Sequence, residues 1–201
     1  YQIMKAIPAN TKAQKKEASR LRILQSARKL FSERGIHGAS VADIMKEAGL
    51  THGGFYAHFK NKADLVNATF TYTLDDTREQ WFKQSAESEG DDIKNLIDSY
   101  LTASHRDHRA SGCPFSCLTP EMSLDKPHTA DSVEKGLKKS LQRTEESLSE
   151  EASEKDSRAA ATLAMLIGGM MLSRSVKTKK FSNFLLEACK THAYELHDIE
   201  V

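Results

Sequence analysis

The sequence GLTHGGFYAHFKNKADL, residues 49–65, lies in a part of the chain whose hydrophobic spacing is otherwise typical of helices. It contains two adjacent glycines, Gly53 and Gly54, directly before a group of aromatic residues. An interior glycine costs a helix roughly 1 kcal/mol relative to alanine, so the pair weakens any helix that contains it. This stretch therefore indicates a helix selected for something other than its own stability.

Capping residues before this stretch predict two helices. Apolar residues repeat with helical spacing over residues 16–34, and Gly35 is well placed to end that first helix. Ser40 and Asp43 form an S-x-x-D capping box, which predicts the start of a second helix that stops at Gly49.

A third short helix is predicted from Thr51, its candidate N-cap, to Phe59. Phe55 and Phe59 lie four residues apart and are expected to face a core. The face left to solvent consists of Thr51, His52, Gly53, Tyr56 and His58. Two short helices joined by a glycine turn and braced by a first helix form a helix-turn-helix, although a plain helical hairpin fits the same pattern. In a helix-turn-helix, glycines at the start of the second helix let its backbone approach DNA closely.

Charge is distributed unevenly along the chain, although the formal net charge is only +1. Residues 1–62 carry 12 lysines and arginines against four acidic residues, whereas the remaining residues carry 17 against 24. A basic N-terminal part on an acidic body favours a module that binds a polyanion, and a solvated basic tail is the simpler alternative.

The stretch ILQSARKLFSERGIHGASVADIMKEAGLTHGGFYAHFKNKADLVNA resembles the DNA-binding domain of the tetracycline-repressor (TetR) family of bacterial transcriptional regulators. The resemblance runs without a gap over residues 20–68 and includes LFSERG, the AGL turn, FYAHFKNK, and the pair Asp64 and Leu65. Two departures concern DNA recognition. Ala42 stands where the family often has arginine, and Gly53 and Gly54 stand where many members have one glycine.

The resemblance implies a role for each residue of the motif. Base edges would be approached by Thr51, His52 and Gly53. Phosphates would be held by Tyr56, His58, Lys60, Lys62 and the backbone of Ser40. These roles agree with the chemistry, because tyrosine and lysine donate to phosphate and a helix N-terminus favours anions.

The remaining sequence predicts more helices and no strands, so the expected fold class is all-α. The expected organisation is a flexible basic arm over residues 1–15, a helix-turn-helix domain over 16–62, and a ligand-binding and dimerisation domain over 63–201. Helices are predicted over 92–104, 115–122, 132–149, 155–173 and 181–196.

A ridge of small residues, Ala160, Ala164 and Gly168, repeats every four residues along the helix after Arg158. Such a ridge lets another helix approach closely, which predicts an intersubunit four-helix bundle; packing within one subunit is the alternative. A homodimer also suits a palindromic DNA site, and family members are mostly two-fold dimers.

Two constellations in the body could sense an effector. Cys113 follows Gly112 near Arg106 and Arg109, so nearby cations could favour a reactive thiolate, although a buried, inert cysteine is the simpler reading. A zinc site built from His105, His108, Cys113 and Cys117 has no familiar spacing, so no metal and no cofactor are predicted. An apolar small-molecule pocket would draw on Tyr100, Phe115, Met122 and Met165.

Enzyme motifs do not occur in the sequence, which predicts a regulator, most simply a repressor that an effector releases from DNA. An enzyme or ligand carrier whose helix-turn-helix serves protein contacts is the alternative. Three cysteines, an N-terminal region without a signal peptide, and apolar runs too short to span a membrane lead us to expect a cytoplasmic protein.

Overall fold

The structure, a computed structural model, describes residues 11–87, 92–149 and 154–200, with the side chains of residues 79–87 excepted. Across these ranges the chain forms helices and short connections, and no strand occurs in them. The predicted all-α class is therefore confirmed. None of the helices in the described ranges combines the length and apolarity needed to cross a membrane.

The N-terminal part contains three α-helices and a 3₁₀ helix. These are α1 (Lys12–Gly38), α2 (Val41–Glu47), the 3₁₀ helix (His52–Ala57), named here the recognition segment, and α3 (Lys62–Glu87). Helix α1 begins four residues earlier than predicted, because Thr11 accepts from the backbone N–H of Gln14 in a capping box. The rest of the predicted flexible arm, residues 1–10, lies outside the described residues.

Glycines mark both chain reversals around α2, as the sequence predicts. Gly35 has φ +76° and kinks α1, which resumes for one more turn rather than ending there. Gly49 has φ +62° and ends the turn after α2. Both φ values lie in the left-handed region that other residues rarely adopt. The capping box of Ser40 and Asp43 is also present.

The third short helix differs from its prediction in type and in cap. The recognition segment is a 3₁₀ helix, and the side chain of Thr51 makes no capping hydrogen bond. The physical reason is its shortness: the segment has six residues, two of them glycines, and α3 starts soon after it. Such segments satisfy their backbone better as a tight 3₁₀ turn than as an α-helix.

The body is built from seven further α-helices in the described ranges. They are α4 (Asp92–Tyr100), α5 (Ala103–Asp107), α6 (Pro114–Cys117), α7 (Thr119–Met122), α8 (Lys126–Glu146), α9 (Lys155–Ser175) and α10 (Lys179–Leu196). The helix predicted over residues 92–104 is broken because extended Thr102 caps α5 by accepting from the backbone N–H of His105. Helix α8 starts at Lys126 rather than at Ser132, since Pro127 suits a first helical turn.

Helix α3 connects the two parts and packs against α1, α4 and α8, while α9 packs against α8 and α10. Two polar contacts also join the parts. Arg28 of α1 donates to the carbonyl of Ala110 (2.7 Å) and pairs with Asp76 of α3 (2.6 Å). The carboxylate of Glu121 accepts from the backbone N–H of His37 at 3.1 Å. Body residues thus contact α1 on both sides of its kink.

Candidate DNA-binding and effector sites

The recognition segment presents a polar outer surface above an aromatic core. Phe55 and Phe59 are buried, with ring centroids 5.7 Å apart, as predicted from their spacing. Thr51, His52 and Gly53 are exposed, and Tyr56 is 68% exposed. Tyr56 packs edge-on against Phe55, with ring centroids 5.3 Å apart, yet most of its side chain remains open to an external partner.

The two lysines predicted to hold phosphate lie at the start of α3. Lys60 is exposed, and Lys62, half-buried, is the first residue of the helix. Asn61 caps that helix by accepting from the backbone N–H of Asp64 (2.8 Å), while Asp64 accepts from the N–H of Lys60 (3.0 Å). Both lysines are thus placed where the positive end of the α3 dipole adds to their charge.

Ser40 is exposed at the N-terminus of α2, but its polar groups are already used in the helix cap. Its hydroxyl accepts from the backbone N–H of Asp43 (3.1 Å), and its own N–H donates to the Asp43 carboxylate (3.1 Å). The Ser40 hydroxyl also donates to the Asp43 carboxylate, and this hydrogen bond, followed by the one from the Ser40 N–H, lowers the pKa of Asp43. A phosphate contact through the backbone of Ser40 would compete with this carboxylate.

His58 is half-buried rather than fully exposed. Its backbone carbonyl accepts from Arg20 (3.2 Å), and the Arg20 guanidinium lies 4.6 Å from the ring centroid of Phe59. Burial, and then the nearby charges of Lys16 and Arg20, lower the pKa of His58. Through these two contacts, Arg20 holds the recognition segment against α1. The sequence analysis did not predict this role, and the only signals for it were the positive charge of Arg20 and its position on the helix.

The small-residue ridge of α9 faces away from the core of the subunit. Ala160 and Ala164 are exposed, and a Cβ atom added at Gly168 would meet nothing within 4 Å. Leu172 extends this face and is 56% exposed. On α10, Phe181 and Phe184 are exposed and stack at 6.0 Å. The sequence pattern indicated the ridge but not these aromatic neighbours.

An apolar pocket of about 40 Å³, partly open to the surface, lies between helices of the body. Three of the predicted effector residues line it, namely Tyr100, Cys113 and Phe115. The other two do not. Met122 lines a cleft of about 140 Å³ between α1, α3 and α7, and Met165 is partly buried against the core elsewhere.

The environment of Cys113 favours the simpler reading of a buried, inert cysteine over a thiolate stabilised by nearby arginines. Cys113 is 3% exposed, and burial raises the pKa of its thiol to about 11. Arg106 is turned toward Asp107, Ser182 and Asn183, and Arg109 is exposed. Adjacency in sequence did not translate into contact, because α5 and α6 are separated by a bend.

The zinc alternative finds no support in the geometry of His105. This ring donates through Nδ1 to the Tyr100 carbonyl (2.8 Å) and accepts through Nε2 from the N–H of Cys113 (3.1 Å). Burial lowers the pKa of His105 to about 4. Among the described residues, no group of three or more histidines, cysteines and acids is arranged to hold a metal.

Comparison with known proteins agrees with this arrangement of a helix-turn-helix on a helical body. Residues 23–69 match the family described as "Bacterial regulatory proteins, tetR family". The HTH-type transcriptional regulator AcrR of Shigella flexneri is 34% identical over 83 residues, which are 41% of this chain and 39% of AcrR. TtgR of Pseudomonas putida, also an HTH-type transcriptional regulator, is 42% identical over 52 residues, 26% of this chain and 25% of TtgR. The chain thus matches less than half the length of these relatives.

Solved structures share the whole fold. The reduced form of Escherichia coli NemR superposes with a TM-score of 0.73 at 18% identity, covering 90% of this chain and 96% of NemR. A TetR transcriptional regulator from Chloroflexus aurantiacus J-10-FL gives 0.71 at 24% identity, covering 90% and 95%. The fold and the motif together define a helix-turn-helix domain on a larger helical body. Residues 23–69 are thus similar to the tetR family of bacterial regulatory proteins, and the fold of the chain is similar to that of the Chloroflexus aurantiacus regulator.

Proposed function

We propose that this protein is a DNA-binding transcriptional regulator, a repressor that binds a palindromic operator as a homodimer in the cytoplasm and that a small-molecule effector releases. The observation that carries the proposal is the outer face of the recognition segment. There Thr51, His52, Gly53 and Tyr56 are exposed, beside Lys60 and Lys62 at the start of α3. This arrangement offers side chains for base edges next to cations for phosphates.

Dimerisation is supported by the apolar face that α9 and α10 leave uncovered. The ridge of Ala160, Ala164 and Gly168 continues into Leu172, and the stacked Phe181 and Phe184 lie on the adjacent helix. A second copy would cover this face with its own equivalent, which is the self-complementary arrangement of a two-fold dimer. Two recognition segments would then address two half-sites of one operator.

Effector control is supported by the position of the apolar pocket between the body helices. At about 40 Å³ it holds only a few water molecules, so a ligand would have to move the surrounding side chains. Phe115, in its wall, packs edge-on against Phe70 of α3 with ring centroids 5.3 Å apart. Helix α7 follows α6 directly and carries Glu121 to the kink of α1.

This chain of contacts links the pocket to the helix-turn-helix. Displacement of Phe115 would shift α6 and α7, and with them the hydrogen bond from His37 to Glu121. An effector that binds better to the shifted arrangement would draw the protein away from the DNA-binding one. Burial of the Cys113 thiol favours such a non-covalent ligand over thiol chemistry at that residue.

The proposal is tested with DNA from the promoter of the protein's own gene and its neighbours. Gel shift and footprinting should show a protected site with two-fold symmetry. A Tyr56→Phe plus Lys62→Ala double variant should lose the shift while keeping its helix content. Binding with equal affinity to unrelated DNA, or no binding to any of these promoters, would contradict the proposed function.

A further inference from the structure

A cleft of about 230 Å³ lies where α5 ends, α9 ends and α10 begins, outside the sites described above. It is lined by Arg106, Asp107, Arg109, Ser173, Arg174, Val176, Lys177, Lys179 and Ser182. Five of these side chains are basic and one is acidic. The body as a whole is acidic, so this local excess of positive charge stands out from its surroundings.

Asp107, the single carboxylate of the cleft, already forms ion pairs with two of the basic side chains. Asp107 accepts from Arg106 through both oxygens (2.9 and 3.0 Å), and Lys179 donates to it at 2.7 Å. These partners hold the pKa of Asp107 well below its usual range. Asp107 is therefore ionised and shared, and it leaves the remaining positive charge of the cleft uncompensated.

Arg174 is half-buried, and its hydrogen bonds go to uncharged acceptors. It donates to the carbonyls of Arg106 (3.1 Å) and His105 (2.7 Å) and to the hydroxyl of Ser116 (2.8 Å). Within the described ranges, no ion pair joins a carboxylate to Arg174, Arg109 or Lys177. A partly buried guanidinium held rigidly without a counter-ion favours an anion from solution.

The N-terminus of α10 adds donors on the same side. Helix α10 has 18 residues and begins at Lys179, and the side chain of Thr178, its N-cap residue, makes no capping hydrogen bond. The first-turn backbone N–H groups of an α-helix have no partner within the helix, and the helix dipole is positive there. Lys179, which lines the cleft, is the first residue of this turn, whereas the N–H of Ser182, which also lines the cleft, already donates to the carbonyl of Thr178 (2.9 Å).

We propose that this cleft binds a phosphate group, either as free phosphate or as part of a small phosphorylated molecule. A guanidinium recognises a carboxylate ligand best through two parallel N–H donors. In this cleft, Arg106 already makes such a pair of hydrogen bonds to Asp107, and Arg174 donates to neutral acceptors, so neither arginine favours a carboxylate ligand. What remains is the point charge of the lysines, exposed Arg109 and backbone N–H groups. This set suits a compact dianion with oxygens on all sides.

The test measures binding of inorganic phosphate by isothermal titration calorimetry at fixed ionic strength, with chloride as the balancing anion. Saturable binding with one site per chain is expected. Lys177→Ala and Arg109→Ala should each raise the Kd about fivefold, because each removes one charge from the cleft. Lys180→Ala is the matched control: it is exposed on the same turn of α10 but does not line the cleft, and its Kd should be unchanged.

The source of the phosphate group is addressed by repeating the titration with glycerol 1-phosphate. Competition with inorganic phosphate for one site supports the proposal, and tighter binding of the ester identifies a phosphorylated molecule as the occupant. Absence of saturable binding by either compound, or an equal loss in Lys180→Ala, would overturn it. Operator binding by Lys177→Ala, which lies outside the DNA-binding site, is assayed in parallel, so the two proposals can fail separately.

Discussion

Glycines in the recognition segment and glycines in the body have opposite surroundings. A Cβ atom added at Gly53 would meet nothing within 4 Å, and one at Gly54 would make only ordinary contacts, the nearest at 3.6 Å. In the body, a Cβ at Gly169 would lie 2.7 Å from the sulfur of Cys189, and one at Gly136 would lie 2.8 Å from a methyl of Leu74. Of these four glycines, only Gly136 and Gly169 are required by packing within the subunit.

This difference shows what each pair of glycines does. Gly136 and Gly169 let neighbouring helices approach closely, so removing them would strain the core. Gly53 and Gly54 weaken a short helix without relieving any internal contact, so their benefit must come from a partner outside the chain. Close approach of DNA supplies such a partner, which is why the proposed function accounts for both glycines.

The largest expected effect is on DNA affinity in Gly53→Leu. We expect operator affinity to fall by about a hundredfold or more, since a bulky side chain would hold the backbone away from base edges and phosphates. Thermal unfolding should be nearly unchanged, because a Cβ at Gly53 meets no atom of the protein. Fluorescence anisotropy with labelled operator measures the first effect. Undiminished affinity would show that the exposed glycine does not serve DNA contact.

Gly168 and Gly169 are adjacent on α9, but Gly168 lies on the proposed subunit interface and Gly169 lies in the subunit core. Gly168→Leu should raise the dimer dissociation constant about tenfold or more while leaving each subunit folded, because several extra carbons cannot fit into a close helix contact. Gly169→Leu, its matched control, should instead lower the free energy of unfolding by about 1–3 kcal/mol, since its Cβ would collide with Cys189. Sedimentation equilibrium and thermal unfolding distinguish the two outcomes. An intact dimer in Gly168→Leu would show that the small-residue ridge is not part of the dimer interface.

Lys62→Ala should weaken binding to every DNA sequence alike, by severalfold. If Lys62 neutralises one phosphate, the slope of log K against log salt should decrease in magnitude by about 1. Lys126→Ala, an exposed lysine that begins α8 in the body, should leave the slope unchanged. An unaltered slope in Lys62→Ala would show that this lysine does not contact a phosphate.

The smallest effect concerns protonation of His58. Burial and the nearby Lys16 and Arg20 lower the pKa of His58 in the free protein, and DNA phosphates would raise it in the complex. The resulting gain in affinity is present below the pKa of the free protein and is lost as pH rises through the pKa of the complex. Operator affinity should therefore rise about two- to threefold more between pH 8 and pH 6 in the wild type than in His58→Gln. Equal pH profiles would exclude a phosphate near this ring.

Local features of the helix-turn-helix were predictable because they depend on residues close together in sequence. The capping box of Ser40 and Asp43, the turn at Gly49 and the buried pair Phe55 and Phe59 are each present as predicted. Each rests on hydrogen bonds or side-chain spacing within four or five residues. Local sequence therefore contains the information they need.

The sequence by itself thus determined an all-α chain with a capped helix-turn-helix and the phase of an exposed ridge on α9. Tertiary structure alone decided which faces meet. It buried Cys113 away from Arg106, placed Glu121 against the kink of α1, and gave neighbouring Gly168 and Gly169 opposite surroundings. The physical reason is that caps and turns are set by short-range hydrogen bonding. Burial and side-chain contacts depend on segments that are distant in sequence and meet only when the helices pack.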